Sequence, residues 1–203
     1  MSCTIPEKQL AETIAFHGHS CPGLVIGIRA AEYARREFQR TDPADLVCVT
    51  ETDMCGVDGI QYLTGCTFGK GNLIHRDFGK AAFSFYDRKV RRGIRLVLKP
   101  KARGGEHPEL RELMARSGQG VLSADEDRRL DQLRSAAKER LMQLPLEEMF
   151  TREELEFTPP RGARVLQSLI CESCGEETME SRTRRFAGQT LCIPCYMLVE
   201  QKI

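Results

Sequence analysis

The stretch Phe16-His17-Gly18-His19-Ser20-Cys21-Pro22-Gly23 separates two segments of helical periodicity near the start of the chain. Apolar residues recur at helical spacing on both sides of it, at Leu10 and Ile14 before it and at Leu24, Ile28, Ala31, Ala34 and Phe38 after it. Because proline is favoured at the first position of a helix, Pro22 predicts a helix start with Cys21 as its N-cap. The spacing of Thr4 and Glu7 predicts a capping box at the start of the preceding helix.

The histidines and the cysteine of this stretch predict a metal-binding or reactive loop. The positive end of a helix dipole and nearby imidazoles favour the thiolate form of Cys21, which is both nucleophile and metal ligand. His17, His19 and Cys21 alternate along the chain, so an extended loop would aim all three side chains at one point. We interpret them as candidate metal ligands, and His19 and Cys21 also as catalytic groups. In the alternative interpretation the histidines cap backbone groups and Cys21 is buried and inert.

A second group of polar residues begins at the next predicted helix, which runs from Gly56 to Leu63. Cys55 directly precedes this helix, and Asp58 and Gln61 lie on one face of it. We interpret Cys55 and Asp58 as catalytic residues, with Asp58 orienting a histidine or a bound water. The alternative is a helix capped by Asp53 and Asp58, with Cys55 packed against its neighbours.

A glycine-rich loop follows, with the sequence Thr64-Gly65-Cys66-Thr67-Phe68-Gly69-Lys70-Gly71-Asn72. It lacks the spacing and the GK[ST] ending of a P-loop, which argues against an ATPase. Glycines let backbone N–H groups approach an anion closely. The loop therefore predicts a site for a small anionic ligand or cofactor, and its candidate residues are Cys66, Gly69, Lys70, Gly71 and Asn72. The alternative is a flexible surface loop.

The remaining pattern mixes strands and helices without regular alternation, which predicts an α+β core with an antiparallel sheet. Strands are predicted over residues 46–51, 73–78, 81–86 and 94–98, and the last two form a hairpin. From about residue 106 a charged helical extension begins. Within it Ser123 and Glu126 predict a capping box, and Thr151 and Glu154 predict another helix start.

Two CxxC pairs near the C-terminus predict a zinc site. They read Cys171-Glu-Ser-Cys174 and Cys192-Ile-Pro-Cys195, and their separation fits four thiolates around one tetrahedral Zn²⁺. Gly175 permits the tight turn of a zinc knuckle. The apolar residues after the second pair predict a short helix, which gives a treble-clef arrangement. Two disulfides or a redox dithiol are the alternatives.

The composition favours zinc over disulfides. Nine cysteines are an odd number, and five of them are scattered upstream of the CxxC pairs. We find no signal peptide and no apolar run long enough for a membrane span, so we expect a soluble cytoplasmic protein without membrane partners. The net charge of +1 gives no overall attraction for nucleic acid, which we expect not to be a partner.

The domain organisation follows from these patterns. Residues 1–157 are predicted to form the α+β core with its helical extension, and residues 165–203 a zinc finger. The segment Thr158-Pro159-Pro160-Arg161-Gly162 is typical of a linker between them.

The histidine–cysteine stretch resembles the opening signature of the FmdE family, which is named for a component of formylmethanofuran dehydrogenase. The block from Cys55 to Leu73 is similar to the second signature of that family, and residues 82–86 continue it. The C-terminal CxxC pairs resemble the zinc finger that some members append. The resemblance spans nearly the whole chain and is weakest across its helical middle.

The resemblance implies an α+β core, an auxiliary treble-clef finger and a homodimer. It also implies a cleft able to hold a second divalent metal, built from the loop of His17, His19 and Cys21 and from the region of Cys55 and Cys66. By this resemblance Cys55, Asp58, Cys66 and Lys70 would line the same cleft. The chain has no pterin-binding body and no ferredoxin-like cysteine runs, so we expect an accessory role beside a larger molybdenum or tungsten enzyme. Whether the chain is itself an enzyme is left open.

Two further hypotheses remain. The finger could be the working part, as an adaptor that binds protein or nucleic acid through Arg182, Arg184 and Arg185. Alternatively, a free-standing enzyme could use Cys21 and Cys66 as a thiol pair.

Overall fold

Two structural units make up the chain, Met1–Gly162 and Ala163–Ile203. The computed structural model describes residues 3–39, 42, 44–103 and 108–200. The last three residues of the predicted finger therefore lie outside the described part.

The first unit combines helices with one sheet. Its elements, in chain order, are α1 (Glu7–His17), α2 (Pro22–Glu37), β1 (Leu46–Thr50), α3 (Gly56–Thr64), β2 (Leu73–His75), β3 (Ala82–Asp87), β4 (Arg92–Leu98), a 3-10 turn (Pro100–Arg103), α4 (Pro108–Gly118), α5 (Ala124–Gln143), α6 (Leu146–Met149) and β5 (Phe150–Leu155). The mixture confirms the predicted α+β class.

The sheet of the first unit has the strand order β2-β1-β3-β4-β5. The β3–β4 hairpin confirms the prediction, and β5 pairs antiparallel with β4. The β1–β2 pair is parallel, because α3 carries the chain back across the sheet between the two strands. The predicted antiparallel arrangement therefore holds for the other three pairs and not for this one.

The hydrophobic core of the first unit lies on one face of this sheet. Cys48, Phe85 and Ile94 lie side by side on neighbouring strands, and none of them is exposed. The helix α2 is buried along its whole middle, from Leu24 to Ala34. Apolar side chains of α2, α3 and α6 join the sheet residues in one cluster, which gives a helix layer against a sheet layer.

The helices α2 and α3 touch backbone to backbone because glycines face each other at the contact. A Cβ added to Gly27 would lie 1.9 Å from the carbonyl oxygen of Gly56. A Cβ on Gly56 would lie 3.1 Å from the carbonyl oxygen of Gly23, and one on Gly59 would lie 2.9 Å from the nitrogen of Ile28. This close approach brings the N-termini of the two helices together.

Two predicted helix starts are wrong. Thr151 and Glu154 lie in β5, where they pair with β4, since the ladder to a neighbouring strand overrides a weak local signal. α1 begins at Glu7 with Pro6 as its N-cap and has no side-chain cap. The N–H and hydroxyl of Thr4 instead donate to the buried carboxylate of Glu32, each at 2.7 Å. These hydrogen bonds replace the ones to water that the carboxylate loses on burial.

Two other predicted caps are confirmed. Cys21 is the N-cap of α2, with Pro22 at the first helical position. Ser123 caps α5, and both hydrogen bonds of the capping box with Glu126 are present.

The second unit is built around short hairpins. Its elements are β6 (Ser168–Ile170), β7 (Glu177–Met179), a 3-10 turn (Glu180–Arg182), β8 (Thr183–Phe186), β9 (Gln189–Cys192) and α7 (Ile193–Glu200). β6 pairs with β7, and β8 pairs with β9. Within residues 163–200, the buried apolar cluster comprises Cys171, Leu191 and Cys192, with Cys195 and Tyr196 packed against them.

Among the described residues, no helix is both long enough and apolar enough to span a membrane.

Replacing Gly27 by alanine should destabilise the first unit. Alanine is the better helix former by about 1 kcal/mol, so intrinsic propensity alone predicts a gain. The new methyl group would instead collide with the backbone of Gly56, and such overpacking costs about 1–3 kcal/mol. We expect a net loss in the free energy of unfolding, measured from urea titrations followed by circular dichroism.

Gly118→Ala is the matched control. Gly118 also lies in a helix, and nothing stands within 4 Å of the position its Cβ would take. The free energy of unfolding of this control should be unchanged or slightly higher than that of the parent. Equal unfolding midpoints for the parent and Gly27→Ala would contradict the close helix contact.

Candidate metal centre

The first ligand candidate, His17, is the last residue of α1. The helix ends there because Gly18 adopts a left-handed conformation with φ of +89° and its N–H bonds to the carbonyl of Ile14. Glycine takes this conformation without steric cost, so the chain can leave the helix directly after His17. His19 then lies on the exposed loop, with its ring centroid 4.4 Å from that of His17.

Cys21 lies directly before the first residue of α2. Cys21 is in an extended conformation, and its sulfur accepts the N–H of Leu24 at 3.3 Å, as an N-cap does. The sulfur lies 3.8 Å from Nε2 of His17. The N-terminal end of α2 therefore directs both a backbone donor and its positive dipole at the Cys21 sulfur.

Cys55 completes the group from the other helix. It is the N-cap of α3, which contacts α2 through the glycines described above. The Nδ1 or Nε2 atoms of His17 and His19 and the sulfurs of Cys21 and Cys55 all lie within 4.8 Å of one another. Two helix N-termini thus converge on one cluster of two nitrogen and two sulfur donors.

Asp58 fixes the orientation of His17. Its Oδ2 lies 2.7 Å from Nδ1 of His17, and Gln61 donates to its other oxygen at 3.3 Å. An ionised carboxylate only accepts, so Nδ1 carries the proton and Nε2 presents its lone pair toward Cys21. A carboxylate that holds the rear nitrogen of a histidine is a common feature of metal sites. The prediction that Asp58 orients a histidine agrees with this geometry.

The surroundings of Cys55 oppose ionisation of its thiol. Burial, followed by a hydrogen bond to Cys21, raises the pKa of Cys55. A cation at the centre of the cluster would reverse this effect, since metal coordination deprotonates a thiol.

The donor set fits a tetrahedral transition metal. Zn²⁺ takes sulfur at about 2.3 Å and imidazole nitrogen at about 2.0–2.1 Å, which sets neighbouring ligands about 3.3–3.8 Å apart. Donor atoms within 4.8 Å of one another reach that spacing through side-chain rotations. Nitrogen and sulfur donors select zinc or a similar soft ion over Mg²⁺ or Ca²⁺.

Cys66 was predicted to line the same cleft, but it does not lie in this cluster. It lies beyond the far end of α3, a nine-residue helix about 14 Å long. Its side chain is fully buried in the core, where the thiol donates to the carbonyl of Leu46 at 3.5 Å. Burial raises the pKa of Cys66 further above its usual value. The expectation that Cys66 lines the same cleft is wrong, and so is the pairing of Cys21 with Cys66.

The rest of the glycine-rich loop lies at the same far end of α3. Asn72 is buried, and its side chain bonds to the backbone of Thr67 and of Leu46, which holds the loop against β1. Lys70 and Gly69 are exposed. A role for Gly69, Lys70, Gly71 and Asn72 in binding an anion stays a prediction, but the loop does not share a cleft with His17 and Cys21.

Cys55 was not expected to be the fourth metal ligand. The sequence carried one signal for this role: Cys55, like Cys21, directly precedes a helix. The glycines that bring the two helices together lie on different segments, and nothing local to either segment indicates that they meet.

The four finger cysteines also form a cluster. The sulfurs of Cys171, Cys174, Cys192 and Cys195 lie within 4.8 Å of one another. Gly175 has a φ of +78°, and its N–H bonds to the carbonyl of Cys171, which forms the predicted knuckle. Backbone N–H groups of Cys174 and Cys192 lower the pKa of Cys171 to about 6. The second CxxC pair lies at the start of α7, as a treble clef requires.

Comparison with known proteins supports both parts of this description. The family model described as "FmdE, Molybdenum formylmethanofuran dehydrogenase operon" matches residues 16–151. The model of the prokaryotic dksA/traR C4-type zinc finger matches residues 166–201. This match and the four-cysteine cluster indicate a zinc ion in the finger.

A curated protein of Archaeoglobus fulgidus, described as a probable S-adenosyl-L-methionine-binding protein, is 30% identical over 192 residues. The alignment covers 89% of this chain and 50% of the relative, so the chain spans about half the length of the curated relative it matches.

A crystal structure of a tungsten formylmethanofuran dehydrogenase FmdE-like protein from Syntrophus aciditrophicus has the same fold. Its TM-score is 0.63 at 22% sequence identity, with all of both chains covered. Together with the family match across the core, these observations establish that the chain belongs to the FmdE family and carries a C-terminal C4-type zinc finger.

Proposed function

We propose that this metal-binding FmdE-like protein holds a second divalent metal in its core and serves an accessory role in redox metabolism. The observation that carries the proposal is the convergence of His17, His19, Cys21 and Cys55 within 4.8 Å. Metal-ligating histidines almost always donate their second ring nitrogen to a carboxylate, a carbonyl or a water, and Asp58 lies 2.7 Å from Nδ1 of His17.

The exposure of the donors suits a site that exchanges ligands with solvent. His19 is exposed, and Cys21 and Cys55 are half-buried, so one side of the cluster is open to solvent. The side chain of His17 is only 9% exposed and is fixed by Asp58. A metal held here would have a rigid inner ligand in His17 and an exposed one in His19, and replacement of His19 by a water or a bound molecule would give the three protein ligands of a catalytic zinc site.

The accessory role rests on the family. The matching family model is described by the operon of molybdenum formylmethanofuran dehydrogenase. Attachment to a larger molybdenum or tungsten enzyme, a homodimer and a cytoplasmic location belong to this proposal. The description of the curated relative adds S-adenosyl-L-methionine as a ligand to test at the open side of the cluster.

A nucleic-acid role for the finger is less well supported. Arg182, Arg184 and Arg185 are exposed, as an adaptor would need. Residues 163–200 nevertheless carry five glutamates against four arginines, so the finger has no net positive charge to attract phosphates.

Metal analysis of purified protein tests the proposal. We expect about two zinc ions per chain, one for each cluster of four donors, by inductively coupled plasma mass spectrometry. Cys21→Ser should lose about one ion, because a serine hydroxyl is a poor replacement for a thiolate. Cys174→Ser should lose the other, from the finger.

The two variants control for each other, since each leaves the other cluster intact. About one ion in the parent, lost only in Cys174→Ser, would show that the core cluster binds no metal.

Asp58→Asn should weaken the core metal without removing a ligand. An amide can donate as well as accept, so the protonation of His17 is no longer fixed and Nε2 is less available. Loss of such an outer partner typically costs about 10–100-fold in metal affinity. Competition with a chromophoric chelator measures this change.

Asp53→Asn is the matched control. Asp53 is an exposed carboxylate just before α3, so its replacement by asparagine removes the same charge as Asp58→Asn without removing the partner of His17. Equal affinity of both variants for the core metal would contradict the role of Asp58.

A further inference from the structure

The two thiols of the core cluster come from different helices and face each other. Cys21 caps α2, Cys55 occupies the N-cap position of α3 without a capping hydrogen bond, and their sulfurs lie within 4.8 Å. The other thiols among the described residues of the first unit are Cys3, Cys48 and Cys66. Cys48 and Cys66 are fully buried, while Cys3 is near the start of the chain.

A side chain at position 23 would crowd the sulfurs of Cys21 and Cys55, and the chain has glycine there. Gly23 lies beside both, and a Cβ there would stand 3.2 Å from the Cβ of Cys55 and 3.8 Å from the sulfur of Cys21. Because glycine leaves this space free, rotation of the cysteine side chains can shorten the gap toward the roughly 2.03–2.05 Å of a disulfide. Both thiols are half-buried, so a small oxidant in solution reaches them.

We propose that Cys21 and Cys55 form a redox pair, in which oxidation by a peroxide joins them in a disulfide and releases the core metal. The inference rests on the proposed function, because it assigns regulation to the same metal site. A disulfide sulfur is a far weaker ligand than a thiolate, and the cluster would then keep only the two imidazoles as donors.

The reaction balances with one peroxide for each disulfide. The sulfur of Cys21 attacks one peroxide oxygen, the O–O bond breaks, and the leaving hydroxide takes a proton to become water. The sulfenic acid so formed is attacked by the sulfur of Cys55. The S–S bond forms, the S–O bond breaks, and a second water leaves with another proton. The two sulfurs lose the two electrons that the peroxide gains, and the metal leaves as the unchanged divalent ion.

The geometry assigns the attacking role to Cys21. Its sulfur receives the N–H of Leu24 at 3.3 Å, which stabilises the thiolate form, and Nε2 of His17 lies 3.8 Å away, where its lone pair can accept the proton of the thiol. Cys55 then resolves the intermediate. A thiol reductant reverses the reaction by exchange and restores both ligands.

Zinc-loaded full-length protein treated with hydrogen peroxide tests the inference. Metal release is followed with a chromophoric chelator, and free thiols are alkylated before and after reduction and mapped by mass spectrometry. Trypsin isolates Cys21 in residues 9–29, whereas Cys48, Cys55 and Cys66 share residues 41–70 and are assigned by fragmentation. We expect a link from Cys21 to Cys55, formed in step with loss of the core metal and reversed by dithiothreitol.

Two variants make the result specific. Cys55→Ser should give no link to residues 41–70, and its Cys21 should proceed to sulfinic acid because no thiol resolves the sulfenic acid. Cys66→Ser should form the link like the parent, because Cys66 is buried in the core beyond the far end of α3.

The outcomes separate the inference from the proposed function. Metal analysis before peroxide is added tests the proposed function. If the chain holds zinc only in its finger, both the proposed function and the release of a core metal are overturned. A chain that holds the core metal but forms no Cys21–Cys55 link overturns the inference alone. Loss of the core metal while both thiols stay reduced does the same.

Discussion

The close contact between α2 and α3 is the constraint on which the candidate site depends. Gly27 and Gly56 meet with backbone against backbone, since a single added methyl group would lie 1.9 Å from a carbonyl oxygen. Side chains of ordinary size would hold the two helices apart by the usual distance of about 8–10 Å between axes or more. The glycines therefore bring two helix N-termini together, and a cysteine directly precedes each helix. Donors that are 34 residues apart in sequence become neighbours through packing alone.

This arrangement explains how three of the four donors gather from helix ends, while His19 comes from the loop between α1 and α2. The end of α1 at Gly18 supplies His17, the start of α2 supplies Cys21, and the start of α3 supplies Cys55 and, one turn later, Asp58. The positive ends of two helix dipoles favour negative charge on the cysteine sulfurs that would hold the metal. The finger is organised differently. The described residues of the finger bury a small apolar cluster, which is typical of units that need a metal to fold.

The sequence predicts local structure well, but it predicts contacts between residues far apart in the chain poorly. The N-cap at Cys21, the capping box at Ser123 and the β3–β4 hairpin all follow from short-range patterns, and all are present. β5 is an edge strand with a polar sequence, and it is held in the sheet by its pairing with β4. Its own composition therefore does not indicate a strand. The prediction for Cys66 failed for the same reason: its chemistry resembles that of Cys55, but a helix about 14 Å long lies between them.

Anomalous diffraction at the zinc absorption edge, on crystals of the zinc-loaded protein, tests the central claim most directly. We expect two peaks per chain, one among the finger cysteines and one bounded by His17, His19, Cys21 and Cys55. A finger peak alone, with the core histidines and cysteines in ordered positions around water, would contradict the claim that the helix contact builds a metal site.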